Sequence, residues 1–195
     1  MSNIVVFGGS FNPITKAHIN ILNKAMNYID AKIGIIVPVG NYYSKDNLLD
    51  YNHRYNMINL VIQSNSSIII NDYNNRTIQP KTLDTLDYIQ TLYPKDNIYF
   101  LMGKDNLLDF NNWYKPEVLL NKYRFIIVDR DTNNSIDNIL KDKLFISNID
   151  NISVLDTNNY DYYISSTLIR NDINKYKDYL DNSVYEYIKS NCLYK

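Results

Sequence analysis

The sequence predicts an α/β fold: a Rossmann-like, doubly wound parallel sheet with helices on both faces. Three observations lead there. Six short runs rich in β-branched and aromatic residues recur along the chain, apolar throughout except for Ser153 in the last, instead of alternating with polar residues. Strands of that kind are buried on both faces, as parallel strands covered by helices are. Between most of the runs, apolar residues recur at three- and four-residue steps, the helical spacing. No linker, internal repeat or extended charge block divides the 195 residues, so residues 1–195 are read as a single domain with one sizeable core.

In chain order, Ile4–Phe7 is the first strand, followed by a turn-forming stretch and a helix beginning near Thr15. Ile21, Leu22, Ala25 and Ile29 form the apolar stripe of that helix. Ile33–Val37 is the second strand. Asn52-His53-Arg54 reads as a helix start, with Met57, Leu60 and Val61 as its stripe. Ile68–Ile70 is the third strand, and Leu83, Leu86, Ile89 and Gln90 make a weaker stripe after it. Ile98–Met102, Phe125–Val128 and Ile152–Leu155 complete the strands, and the Asn-rich segment Asp131–Asn138 reads as a surface loop.

Composition narrows the function classes. A formal net charge of −1 gives no global field to recruit nucleic acid or a membrane, so any anion site is local. The lone Cys192 excludes an intramolecular disulfide and a Cys-based zinc cluster. No secretory-type leader opens the sequence, and no apolar run approaches the roughly 20 residues that span a bilayer. A soluble, intracellular protein is expected, cytoplasmic or nuclear. The 19 Tyr residues belong to a chain-wide bias towards Asn, Tyr, Ile and Lys and carry no functional weight.

The stretch GGSFNPITKAH (8–18) follows the first strand directly. Gly8 and Gly9 lack Cβ atoms, so their amides can approach a phosphate closely. A helix starting near Thr15 aims its free N–H groups and positive dipole end at the same place. His18, three residues after Thr15, shares a face of the first turn with it. The stretch is neither a Walker A loop nor the GxGxxG fingerprint. Two readings stand side by side: a phosphate cradle with a histidine beside it, or an ordinary turn in which Thr15 is an N-cap and His18 a packed helix residue.

GGSFNPITKAH resembles the (H/T)xGH motif of the nucleotidyltransferase superfamily, in the GSFNPIT version typical of the nicotinamide and nicotinate mononucleotide adenylyltransferases. Thr15 takes the first histidine position and His18 the second; Ala17 departs from the glycine of the bacterial pattern. VPVGNYYSKDNLLDYNHRYNM (37–57) is similar to a further stretch of that family, with Tyr43, Lys45, His53, Arg54 and Met57 in register. GKDNLLDFNNW (103–113) resembles its GAD…F…W segment, with Lys104 in place of the usual alanine. ISSTLIR (164–170) matches ISSTxIR, and YLDNSVYEYIKSNCLY (179–194) resembles the closing helix.

The resemblance implies transfer of an adenylyl group from ATP to nicotinamide or nicotinate mononucleotide, giving NAD or deamido-NAD and pyrophosphate. The attacking phosphate oxygen is already anionic, so positioning and electrostatic stabilisation replace a general base. By resemblance, His18, Lys45 and Arg170 are the catalytic residues. ATP is met by Gly8, Gly9, Ser10, Phe11, Thr15 and His18, by Gly103 and Asp105, and by Ser165, Ser166, Thr167 and Arg170, the last expected on the first turn of its helix. The mononucleotide is met by Ser10, Tyr43, Lys45, Tyr73 and Trp113, whose ring stacks on the pyridine. His53 and Arg54 are assigned to folding. Mg²⁺ is expected on the ATP phosphates, with no metal cage in the protein. The partners are ATP and the mononucleotide, with no nucleic acid and no membrane; a homo-oligomer is compatible with the sequence. Two rival readings are another member of the superfamily (a phosphopantetheine adenylyltransferase or small cytidylyltransferase) and a non-catalytic nucleotide-binding regulator. Tyr43, Lys45 and Trp113 speak against the first; His18, Lys45 and Arg170 together speak against the second.

Overall fold

The computed structural model describes residues 1–129, 136–156 and 164–195. Its sheet contains β1 (Asn3–Gly9), β2 (Ala31–Pro38), β3 (Ile68–Ile70), β4 (Asn97–Gly103), β5 (Arg124–Asp129) and β6 (Ile152–Asp156). The strands are all parallel, in the order β3-β2-β1-β4-β5-β6. The helices are α1 (Lys16–Tyr28), α2 (Tyr51–Ile62), α3 (Thr82–Leu92), α4 (Asp105–Leu108), α5 (Pro116–Lys122), α6 (Ile136–Ile139), α7 (Lys143–Ile146), α8 (Ser166–Asn171) and α9 (Asn182–Ser190). No helix among the described residues is long and apolar enough to cross a membrane. The chain starts mid-sheet, winds out to β3, then crosses to β4 and continues to β6. The winding reverses between β1 and β4, and at such a reversal a crevice opens beyond the strands' carboxyl ends.

All six expected strands are present, and their side chains alternate between two buried clusters. Val5, Phe7, Ile36, Leu101 and Ile126 pack with α1, α2, α8 and α9. Ile4, Val6, Ile35, Val37, Phe100 and Phe125 pack on the other face with α3 and α5. Burial on both faces is why the runs of β1, β2, β4 and β5 carry no polar alternation. At the edge strand β6 only Leu155 is buried, Val154 is exposed and Ser153 interrupts the run. On α1 the expected stripe is buried at Ile21, Leu22 and Ala25, while Ile29 is half-buried at the helix end. Gly34 admits that helix to the sheet: a Cβ there would sit 2.6 Å from Met26 Sδ.

The α2 stripe differs from expectation. Met57 is buried, but Leu60 and Val61 are only half-buried; Tyr51, Arg54, Ile58 and Ile62 complete the inner face. An apolar pattern passes over Arg54, yet this is the largest fully buried side chain. Its Nε donates to Leu49 O at 2.8 Å and one terminal nitrogen to Ser10 O at 3.0 Å. Desolvation lowers its pKa, opposed by Tyr194, Tyr51 and Asp50. His53 is also structural: its Nδ1 lies 3.0 Å from the Tyr187 hydroxyl on α9. Of the expected loop 131–138, residues 131–135 lie outside the described residues, and 136–138 begin α6.

Arg54→Met keeps apolar bulk but leaves two half-buried carbonyls without this donor, each costing about 1–2 kcal/mol, the lower part of the range for an unmet polar group. The expected loss is ~2–4 kcal/mol of stability, a fall of roughly 5–15 °C in melting temperature for a chain of this size. A thermal melt within 2 °C of wild type would show that this arginine does not hold the fold.

Candidate nucleotide site

A cavity of about 450 Å³ opens beyond the carboxyl ends of β1 and β4, within the size range of small-ligand pockets. Gly8, Gly9, Ser10 and Phe11 line it after β1. The left-handed residue of this loop is not a glycine but Phe11, with φ 44°. A Cβ on Gly9 would lie 3.1 Å from the Phe11 ring, so the glycine makes room for that ring to fold back. The buried phenyl meets Phe7 and His18 edge-on, each at 5.3 Å between centroids.

Thr15 and His18 close the first turn of α1 reciprocally. The Thr15 hydroxyl accepts from the His18 N–H at 3.3 Å, and His18 Nδ1 accepts from the Thr15 N–H at 3.1 Å. Histidine thus fills the place that Glu or Gln usually takes in a capping box. A backbone N–H can only donate, so Nδ1 carries a lone pair and the neutral ring holds its proton on Nε2. The Thr15 hydroxyl, 2.7 Å from Nδ1, fits the same tautomer as a donor. Thr15 is thus the N-cap of α1, and both residues also line the cavity.

Lys45, between β2 and α2, donates from Nζ to Ser10 Oγ at 3.0 Å. Desolvation, then the charges of Arg170 and Arg54, lower its pKa against the opposing Asp105. Cations crowding one another in this way favour an anion among them. Tyr43, exposed on the same loop, also lines the cavity. So do Gly103 and Asp105, at the end of β4 and the start of α4. Lys104 does not; it is buried and paired with Asp129 at the end of β5. Trp113, half-buried, stacks on Phe110 at 4.9 Å and meets Phe100 edge-on. It also lines the cavity.

At the start of α8, Ser165 is the N-cap, its Oγ accepting from the Leu168 N–H at 3.2 Å. Ser165, Ser166 and Thr167 line the cavity. Arg170 lies in the last turn of α8, not the first, and is outside the lining residues. Its guanidinium donates to Asn12 O at 2.8 Å and to Thr167 Oγ1 at 3.2 Å. Tyr73 is not brought into the cavity either. Its ring is stacked on Tyr88 at 4.2 Å, with the Arg76 guanidinium also 4.2 Å from its centroid.

Sequence reasoning missed Asn12, buried inside the quoted motif, where no pattern marks a buried polar hub. It also missed Asn74, Gln79 and Thr85, which line the side of the cavity nearest α3. There Thr85 Oγ1 donates to Asn74 Oδ1 at 2.7 Å, and the Gly40 N–H to Gln79 Oε1 at 2.9 Å. Among the described residues, no three His, Cys, Asp or Glu side chains gather as a metal site.

The family model described as cytidylyltransferase-like matches residues 6–172. A protein of Acholeplasma laidlawii named "Probable nicotinate-nucleotide adenylyltransferase" is 33% identical, across 98% of this chain and 97% of its own. A protein of the same name from Caldicellulosiruptor bescii is 32% identical, across 98% of each chain. The chain belongs to the nicotinamide/nicotinate mononucleotide adenylyltransferase family. The nicotinic acid mononucleotide adenylyltransferase of Plasmodium falciparum, solved in complex with NaAD, is a structural neighbour of this nucleotidyltransferase. It superposes with a TM-score of 0.85 at 28% identity, over 100% of this chain and 98% of the other. A second structure of the Plasmodium enzyme, complexed with APC, superposes with a TM-score of 0.82 at 28% identity, over the same shares. This family member thus shares its fold with the Plasmodium enzyme along its whole length.

The reciprocal cap makes a spectroscopic prediction. With only two histidines in the chain, ¹⁵N correlation spectra at neutral pH should show His18 Nδ1 without a proton and Nε2 protonated. His18→Gln identifies the signals by their disappearance. A protonated Nδ1 in the neutral ring would contradict the bond from the Thr15 N–H.

Proposed function

We propose that this protein transfers the adenylyl group of ATP to a pyridine mononucleotide, with nicotinate mononucleotide preferred and deamido-NAD and pyrophosphate as products. The observation that carries the reading is the convergence of unlike groups on one cavity: a helix-capping histidine, a lysine on Ser10, a serine-rich helix start and a half-exposed tryptophan face. The relatives' names and the NaAD held by the Plasmodium enzyme favour nicotinate over nicotinamide. Residues 1–195 serve as a single nucleotidyltransferase domain.

ATP lies along the β1–α1 loop, its triphosphate between the Gly8–Phe11 segment and the start of α8. His18 donates from Nε2 to an oxygen of the α-phosphate as negative charge builds there, while Thr15 fixes the ring by holding Nδ1. Ser165, Ser166, Thr167 and Arg170 take the departing pyrophosphate; the α8 start supplies N–H donors, and Arg170 supplies charge. Gly103 and Asp105 contact the adenosine part. Lys45, anchored on Ser10 with Tyr43 beside it, receives the mononucleotide phosphate, and Trp113 receives the pyridine ring. Asp105 is the single carboxylate among the described residues that line the cavity, a donor set that suits Mg²⁺ carried on substrate oxygens. When bound, Mg²⁺ neutralises charge on the phosphates that leave.

The direct test is pyrophosphate release from ATP and Mg²⁺ with nicotinate mononucleotide, nicotinamide mononucleotide, phosphopantetheine and glycerol phosphate in parallel. Turnover is expected with the pyridine mononucleotides and fastest with nicotinate; turnover with only the other acceptors refutes the assignment. Excess chelator should abolish turnover, and full activity in chelator would exclude the metal.

Removing the donor His18 by alanine substitution should lower kcat by about 10²–10³, the usual cost of one donor at developing charge. Its effect on ATP binding should be small, and a kcat within a few-fold of wild type would return His18 to a packing role. Stacking of a flat ring on an aromatic side chain contributes roughly 1–3 kcal/mol in nucleobase cases. Trp113→Ala should therefore raise the mononucleotide KM about tenfold and leave the ATP KM nearly unchanged. A large drop in melting temperature without that selective defect would assign Trp113 to the core.

A further inference from the structure

The β1–α1 loop is also held from outside the cavity. After α9 the backbone turns through two left-handed residues that are not glycine, Cys192 (φ 54°) and Tyr194 (φ 58°). That conformation is costly for any residue with a Cβ, so the turn is maintained by what it delivers. The Leu193 N–H bonds to Ile188 O at 3.0 Å, and Leu193 packs on the core. The Tyr194 hydroxyl then reaches Asn12 and donates to its Oδ1 at 2.7 Å.

Asn12 is fully buried, and its groups join three separate parts of the fold. Nδ2 donates to Asn47 O at 2.9 Å, and Oδ1 accepts the Leu49 N–H at 3.4 Å. Asn47 and Leu49 belong to the segment that carries Lys45. The backbone oxygen of Asn12 accepts from Arg170 at 2.8 Å. Only one orientation of the amide works: reversed, its NH₂ would face the Leu49 N–H, which can only donate, and its oxygen would face the Asn47 carbonyl. Of the two bonds to Oδ1, the one from Tyr194 is much the shorter. Without it, a bond at 3.4 Å is all that opposes rotation from that side.

We propose that Tyr194 is a positioning residue for the nucleotide site, its hydroxyl locking the Asn12 amide and thereby holding the Lys45 segment in place. Burial raises the pKa of the phenol, with Arg170 and Arg54 opposing, so the group remains a donor at neutral pH. The kinetic half of this inference rests on the adenylyltransferase reading; the mechanical half does not.

The test is Tyr194→Phe in the full chain, which keeps the ring and removes only the hydroxyl. Hydrogen–deuterium exchange of the ligand-free protein should speed up at residues 45–49, with α9 unaffected. The mononucleotide KM should rise about three- to tenfold, the range expected for one buried hydrogen bond, while the ATP KM stays within twofold. Wild-type exchange at 45–49 overturns the proposal whatever the kinetics show. Faster exchange with an unchanged mononucleotide KM removes the positioning role and overturns it equally. If the wild type turns over no pyridine mononucleotide, the functional reading has failed, and the exchange comparison alone decides whether the lock exists. Should the phenylalanine variant be too unstable to assay, Asn12→Asp tests the same junction. The carboxylate still accepts from Tyr194 but cannot donate to Asn47 O, so faster exchange at 45–49 supports the junction and wild-type exchange there refutes it.

Discussion

Carbonyls shielded from water need hydrogen-bond donors even where the chain leaves a ladder. Four between Gly9, the last residue of β1, and Pro13 are met by partners from other parts of the fold. Gly9 O accepts the Val39 N–H at 3.0 Å. Ser10 O accepts from Arg54 at 3.0 Å, Asn12 O from Arg170 at 2.8 Å, and Pro13 O from Ser166 Oγ at 2.9 Å. The donors come from the end of β2, from α2 and from α8, so the elements around the crevice are fastened to one short loop. A displacement of α2 or α8 would leave one of these carbonyls unmet. The loop that frames the cavity is thus also the junction that sets where its neighbours stand.

Structural and chemical duties fall on the same atoms for a physical reason. A helix start needs side-chain acceptors for its free N–H groups, and those N–H groups also attract anions. Thr15 and Ser165 satisfy the first need and line the cavity where the second would be met. His18 extends this economy: the bond that caps α1 also selects its tautomer. A capping residue and a cavity-lining residue are therefore not competing descriptions here.

Charge is organised locally in a chain whose formal net charge is −1. Arg54, Arg170 and Lys45 lie close enough for the two arginines to lower the lysine pKa. The arginines are tied to carbonyls of the β1–α1 loop and cannot move far; Lys45 rests on a single serine hydroxyl. This arrangement gives a fixed positive background with one adjustable cation in front of it.

The sequence by itself determined the six strands, the winding class and half of the cavity's lining. Two-sided burial writes an uninterrupted apolar run, and the loops that line the cavity carry short, recognisable combinations such as Gly8-Gly9-Ser10 and Ser165-Ser166-Thr167. Those signals are local. Tertiary structure alone decided that Arg54 lies in the core, that Tyr73 is spent on Tyr88, and that Arg170 grips Asn12 from the far turn of α8. It alone brought Asn74, Gln79 and Thr85 to the cavity and Tyr194 to Asn12, 182 positions away in sequence. Such partners have no fixed spacing: a buried donor is satisfied by whichever acceptor the folded chain brings near, and periodicity carries no record of that choice.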